Sequence, residues 1–168
     1  MGEKRQIEGL RHAARLGAKP RSIPIGRPRG AKAFGVRYEK ALERELGLGA
    51  LPRFERGIWF EFEDRNGPGY CQVDFLSDEV AGDAVVLECK YSWTELGHLE
   101  LETLYRPVVE RALGVEVFGI VVCKNLAEGM REAGARVFGE ASSALAFAKS
   151  GGRSVRQWLP KTPMGPFW

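Results

Sequence analysis

Tyr70-Cys-Gln-Val-Asp-Phe-Leu76 and Ala84-Val-Val-Leu-Glu-Cys-Lys90, joined by Ser77-Asp-Glu-Val-Ala-Gly-Asp83, decide how this chain is read. Both are rich in β-branched and aromatic residues and are separated by a turn-like segment, so they read as the two strands of a hairpin. Side chains alternate across a strand. Glu88 and Lys90 therefore share one face while Leu87 and Cys89 share the other, and Asp74 is expected opposite Val73 and Phe75. Two carboxylates and a lysine can then converge on one face of a small sheet.

Charges inside the most apolar strand of a chain are costly unless they are paired or hold a metal. Hard oxygen ligands completed by water suit Mg²⁺ or Mn²⁺, and an adjacent ammonium offsets charge on a phosphate. The competing reading is a solvent-facing strand in which Glu88 and Lys90 merely alternate outward.

Residues 34–48 read as the first firm helix, with Phe34, Tyr38 and Ala41 on one stripe and Gly47 and Gly49 available to end it. Glu39 lies on the inward stripe of Gly35, Leu42 and Leu46, where an apolar side chain is expected. Glu43, one turn on, competes with it, and for either residue the plain alternative is a surface pair with Arg37 or Arg44. Residues 56–64 alternate Ile58, Phe60 and Phe62 against Trp59, Glu61 and Glu63, a half-buried strand followed by the tight turn Arg65-Asn-Gly-Pro-Gly69. Ser92-x-x-Glu95 is a capping-box pattern opening a helix with a Leu101, Leu104, Tyr105, Val108 and Ala112 stripe. Pro107 kinks that helix or starts a second segment near Arg106. Residues 115–123 form a nearly continuous apolar run, a buried strand. Helices over 127–133 and 142–149 and a short strand over 135–138 complete the reading. The three cysteines, Cys71, Cys89 and Cys123, lie in these strands without Cys-x-x-Cys spacing and read as buried thiols, with Cys71 and Cys89 turned away from the charged residues.

The order is helix with Glu39, strand, strand with Asp74, strand with Glu88-Cys-Lys90, helix, buried strand. Over residues 34–123 this resembles the PD-(D/E)XK nuclease superfamily. The resemblance implies an α/β fold with the restriction-endonuclease-like core (α-β-β-β-α-β), a mixed central sheet flanked by helices. It matches Asp74 to the family's metal-binding aspartate, Glu88 to its second acidic ligand, Lys90 to its lysine and Glu39 to its helix glutamate. Val73 stands where the family name has proline. What it implies is a metal-dependent deoxyribonuclease, an endonuclease leaving 5′-phosphates. Asp74, Glu88 and the backbone carbonyl of Cys89 would hold Mg²⁺, for which Mn²⁺ can substitute, and Glu39 would reach the ion directly or through water. Lys90 would orient or help deprotonate the attacking water and steady the phosphate. Tyr105 and Arg106 are the accessory candidates on the following helix, ahead of His98 and Glu102, with core packing as the plainer role of Tyr105.

The 168 residues, 44% hydrophobic and 28% charged, suit one soluble globular domain. No apolar run approaches a membrane span and the N-terminus lacks a secretory h-region, so a cytoplasmic protein is expected, or one in the host-cell cytoplasm if phage-encoded. The net charge of +3 is unevenly spread: residues 1–33 carry nine Lys or Arg against two Glu. This gives three parts, a basic and largely extended arm over 1–33 with a weak helical pattern at 3–16, a nuclease-like domain over 34–150, and a Pro- and Trp-containing tail over 151–168. The arm predicts a polyanionic partner, duplex or branched DNA first, contacted by Arg21, Arg27, Arg29 and Lys32. Gly26-Arg-Pro-Arg-Gly30 is similar to the core of AT-hooks, although a non-specific phosphate-contacting arm is the simpler reading. A homodimer placing two sites on opposite strands is compatible with the sequence. The alternatives to a DNA nuclease are a non-catalytic nucleic-acid-binding or assembly protein on the same fold, and an RNA-processing nuclease.

Overall fold

The computed structural model describes residues 7–26, 29–47, 54–80, 82–125, 136–137 and 155–157. Among these, seven strands form one mixed sheet in the order β1-β2-β3-β4-β5-β7-β6. They are β1 (His12–Arg15), β2 (Glu55–Asp64), β3 (Gly67–Val80), β4 (Asp83–Ser92), β5 (Val117–Asn125), β6 (Arg136–Val137) and β7 (Val155–Gln157). The first four pair antiparallel, whereas β5 lies parallel to β4 and β7 parallel to β5. A parallel neighbour requires a crossover. It is supplied by a continuous helical stretch: α2 (Glu95–Glu100), a π-helical turn (Leu101–Tyr105) and α3 (Arg106–Leu113).

Helices cover both faces of this α/β sheet. On one side Tyr38, Ala41 and Leu42 of α1 (Ala31–Gly47) pack on Phe75, Val85, Leu87, Cys89, Ile120 and Val122. On the other, Leu101, Val108 and Val109 pack on Phe60, Phe62, Val73, Val86, Val117 and Val121. Strand β4 is the central slab, with every residue from Ala84 to Cys89 buried: the apolar run of residues 84–87, then Glu88 and Cys89. Gly119 on β5 admits the crossover closely, since a Cβ there would lie 2.9 Å from Leu101 Cγ.

The capping residue of the crossover is Thr94 rather than Ser92, its hydroxyl accepting the Gly97 N–H at 3.2 Å. Ser92 is still in β4. Pro107 lacks the N–H that would continue an α-helical ladder, and the chain widens into the π turn just before it, with the Arg106 N–H reaching the Leu101 carbonyl. The new helix begins at Arg106, where Pro107 predicts it.

Part of the segment expected to be a basic arm is an edge strand. Residues 12–15 pair with 60–63 of β2, and Ala13 is buried with Ile7 and Leu10 packed nearby, which corrects, over the described residues 7–16, the helix expected over 3–16. The weak helical stripe lost to tertiary pairing: Asp64, itself buried, accepts the Glu8 and Asn66 N–H groups and so ties the segment before β1 to the two-residue β2–β3 turn. The short strand expected over 135–138 is β6, and the tail contributes β7 between β5 and β6. The helices expected over 127–133 and 142–149 lie outside the described residues, as does Arg27. Among the described residues no helix is long and apolar enough to cross a membrane.

If β1 is an integral strand, Ala13→Asp, which puts a charge into the apolar layer, lowers unfolding stability by about 3 kcal/mol. Denaturant titration checks this; a variant as stable as the parent protein would return residues 7–16 to a loosely attached arm.

Candidate active site

The strand alternation slips at Asp74. On β3, Cys71 and Val73 face the crossover layer, but Phe75 faces α1 and Leu76 faces the crossover layer again. Val73 and Phe75 are thus on opposite faces, contrary to the strict alternation expected. The partner strand slips at the matching place: Ile58 and Phe60 face the crossover layer while Phe54 packs on the α1 side. Residue 57, between the 56–75 and 58–73 pairs, is a glycine with φ +68°. Only glycine adopts that conformation without strain, and a Cβ there would meet Gln72 Nε2 at 2.9 Å.

The same point is where β3 and β4 part. Their pairing runs up to Phe75 opposite Leu87; beyond it β3 continues against β2 and β4 against β5. The Cys89 N–H that would have met β3 backbone is instead accepted by the Asp74 carboxylate, Oδ2, at 2.7 Å. One side chain thereby replaces a rung of the ladder and is held beside Glu88 and Lys90.

Glu88 is 2% exposed. Its Oε1 accepts the Lys90 ammonium at 2.6 Å, and Glu100 Oε2 lies 3.8 Å from the same nitrogen. Glu39 approaches from α1 and shares Arg56 with Glu43: Arg56 Nη2 is 3.3 Å from Glu39 Oε2 while its Nη1 is 3.2 Å from Glu43 Oε2. Glu43 is exposed, and the basic partner of both is Arg56, not Arg37 or Arg44.

Electrostatics mark the same group. Burial, then the Glu88 and Glu39 carboxylates, push the Asp74 carboxyl well above its usual range, against the Cys89 N–H and the Lys90 ammonium, which lower it. Burial alone would lower Lys90, but the charge and hydrogen bond of Glu88, with Asp74 and Glu100, outweigh it and hold the ammonium above its ordinary value. Burial, Glu88, Glu100 and Asp74 push the Tyr105 phenol up, so it stays a neutral donor near these carboxylates. Arg106 turns along its own helix to Glu102 at 2.7 Å and Glu110 at 3.6 Å. His98 is half-buried on α2.

All three cysteines are buried and free. Cys71 does not turn away from the site as expected: it lies in the crossover layer, where burial and Glu88 push its thiol up to about 12. Cys89 is in the α1 layer, raised by burial and then by Asp74 and Glu39. Glu100, 7% exposed, is the residue that sequence reasoning passes over. Its signal was available, because extending the Leu104 and Val108 stripe back by one turn lands on residue 100.

Asp74, Glu88 and the Cys89 carbonyl are hard oxygen donors, and the Glu88 and Glu39 charges that raise the Asp74 pKa are an excess of negative charge that a divalent cation relieves. This donor chemistry fits Mg²⁺ or Mn²⁺. Among the described residues no three His, Cys, Asp or Glu side chains are already gathered around one point, and Lys90 engages one Glu88 oxygen. Of the basic residues expected to meet nucleic acid, Arg21, Arg29 and Lys32 are exposed. Arg15, another basic residue of that segment, is 2.6 Å from Glu55. On the α1 face of β4, Tyr91 meets Phe34 in a tilted pair with centroids 5.3 Å apart, Lys124 Nζ lies 5.0 Å from the Tyr91 centroid and Arg37 lies 5.8 Å from that of Phe34.

Compared with known proteins, the chain matches no family model, no curated protein and no solved structure.

A carboxyl with a raised native pKa binds its proton more tightly in the folded state, so its stabilising contribution is full below about pH 4 and is lost as pH rises through the raised value. Asp74→Asn keeps an oxygen for the Cys89 N–H but removes that loss. Without added metal it melts several degrees above the parent protein at neutral pH, at about 2–4 °C per kcal/mol, and the difference closes toward pH 4. Thermal unfolding from pH 4 to 8 checks this, and a difference independent of pH contradicts it.

Proposed function

We propose that the protein is a metal-dependent nuclease that hydrolyses DNA phosphodiester bonds. The observation that carries this reading is the Asp74 carboxylate held on the Cys89 N–H at the parting of β3 and β4, beside Glu88 and Lys90. The element order supports it: α1 with Glu39, three antiparallel strands, a helical crossover and a parallel strand follow the restriction-endonuclease-like plan that the sequence resembles. Asp74, Glu88 and the Cys89 carbonyl would hold Mg²⁺ or Mn²⁺, with Glu39 reaching it directly or through water. Bound there, the ion would supply polarisation of the phosphate and an acidified water.

The chain's own residues do the rest. Lys90, kept protonated by its carboxylate neighbours, donates hydrogen bonds to the scissile phosphate and the attacking water; its raised pKa makes it a poor base at neutral pH. Tyr105 is a neutral O–H donor on the opposing helix. Arg37 and Lys124, set over aromatic rings on the α1 face of β4, supply further cations for sequence-independent contacts with the phosphate backbone. Arg21, Arg29 and Lys32 add sequence-independent backbone contacts.

Supercoiled, linear, single-stranded and branched DNA, each with Mg²⁺, Mn²⁺ or EDTA, give the direct test. The expected result is metal-dependent cleavage that falls by at least about 100-fold in Asp74→Ala and Lys90→Ala. Wild-type protein that binds these substrates yet cuts none with any metal would leave a non-catalytic nucleic-acid-binding protein as the better account.

A separate expectation concerns binding. Arg37→Ala and Lys124→Ala each weaken DNA affinity for all sequences alike and reduce the salt slope by about 1. Fluorescence anisotropy across a salt series measures it, and an unchanged slope places the strand elsewhere.

A further inference from the structure

We infer that Glu100 is a positioning residue for Lys90, the second counter-ion that receives the ammonium when Glu88 gives its oxygen to a cation. This rests on the metal-dependent reading of the site. Lys90 Nζ sits 2.6 Å from Glu88 Oε1, so one of the two oxygens that Glu88 can offer a cation is engaged by an ammonium. A metal ion and an ammonium on one carboxylate oxygen repel each other strongly at low dielectric. Glu100 Oε2 is 3.8 Å from Nζ, in ion-pair range without a hydrogen bond, and a shift of about 1 Å would bring it to the 2.7–2.9 Å of charged hydrogen bonds.

Three features of the crossover serve this arrangement. Glu100 is the last residue of α2 and almost wholly buried, so its carboxylate is not simply a solvated surface charge. Gly97 is where the lysine stem crosses the helix: a Cβ there would lie 2.7 Å from Lys90 Cε and 3.2 Å from its Cγ. The π turn directly after Glu100 adds one residue to the helical turn, so that Tyr105, rather than Leu104, falls one turn below Glu100. A lysine lying over a glycine between two carboxylates has two places to rest its charge.

The test is a double-mutant cycle on the full chain, read as Mn²⁺ affinity by calorimetry and by electron paramagnetic resonance without DNA. Glu100→Gln, close in shape, weakens Mn²⁺ binding by about 10-fold in the Lys90 background, the size typical of residues acting behind a ligand. In the Lys90→Met background the same change has no effect, because no ammonium needs rehousing. Gly97→Ala, which pushes the lysine stem off the helix, follows the same pattern and serves if Glu100→Gln folds poorly. Equal losses in both backgrounds make Glu100 a mere source of negative potential and overturn the inference while leaving the metal site intact. Wild-type protein that binds no Mn²⁺ overturns the metal-dependent reading itself, and the inference with it.

Discussion

A backbone N–H left over where two strands separate has to find an acceptor, and in this protein the acceptor is the Asp74 carboxylate. Sheets end their ladders in water or in a turn; here the ladder between β3 and β4 ends inside the sheet, between two helical layers. An orphaned donor in that place costs about 1–3 kcal/mol. Satisfying it with a charged side chain fixes that side chain within hydrogen-bond distance of β4. The slip in alternation, with Gly57 in a left-handed conformation across the pair, is the local deformation that lets Asp74 sit between the two faces.

From that position the electrostatics follow. Asp74 senses Glu88 on β4 and Glu39 on α1, and nearby cations do not cancel the effect of burial. The fold tolerates this because β4 is sandwiched by two apolar layers whose burial stabilises the sheet on either side of the charges. A carboxyl of raised pKa with other carboxylates near it at a break in a sheet is a common mark of functional sites, where local stability is reduced for the sake of chemistry. The buried thiols beside Asp74, by contrast, are kept protonated first by burial and then by the same negative field, and behave as small apolar side chains.

The crossover helix shows how one local rule shapes the far side of the site. Pro107 cannot donate to the ladder, the helix widens into a π turn, and that extra residue sets the rotation between Glu100 and Tyr105. Thr94 and Gly97 fix where the helix starts and how near the Lys90 stem it passes. Glu100 therefore faces the site because of backbone geometry on both of its flanks.

Much of this was legible in the chain itself. Alternation and β-branched runs located β2, β3, β4 and β5, helical periodicity located α1, and a charged pair inside the most apolar strand singled out Glu88 and Lys90. These are local properties, set by side-chain spacing and propensity along a single element. The sequence did not reveal that residues 12–15 pair with β2, since four weakly patterned residues take their structure from the edge they meet. Nor did it reveal the slip at Asp74, the partnership of Arg56 with Glu39 and Glu43, or the burial of Glu100. Each depends on a contact between residues far apart in the chain, and alternation is blind to the place where a ladder stops. The identity of the charged residues was written in the sequence; which carboxylate meets which cation was decided by where β3 and β4 separate.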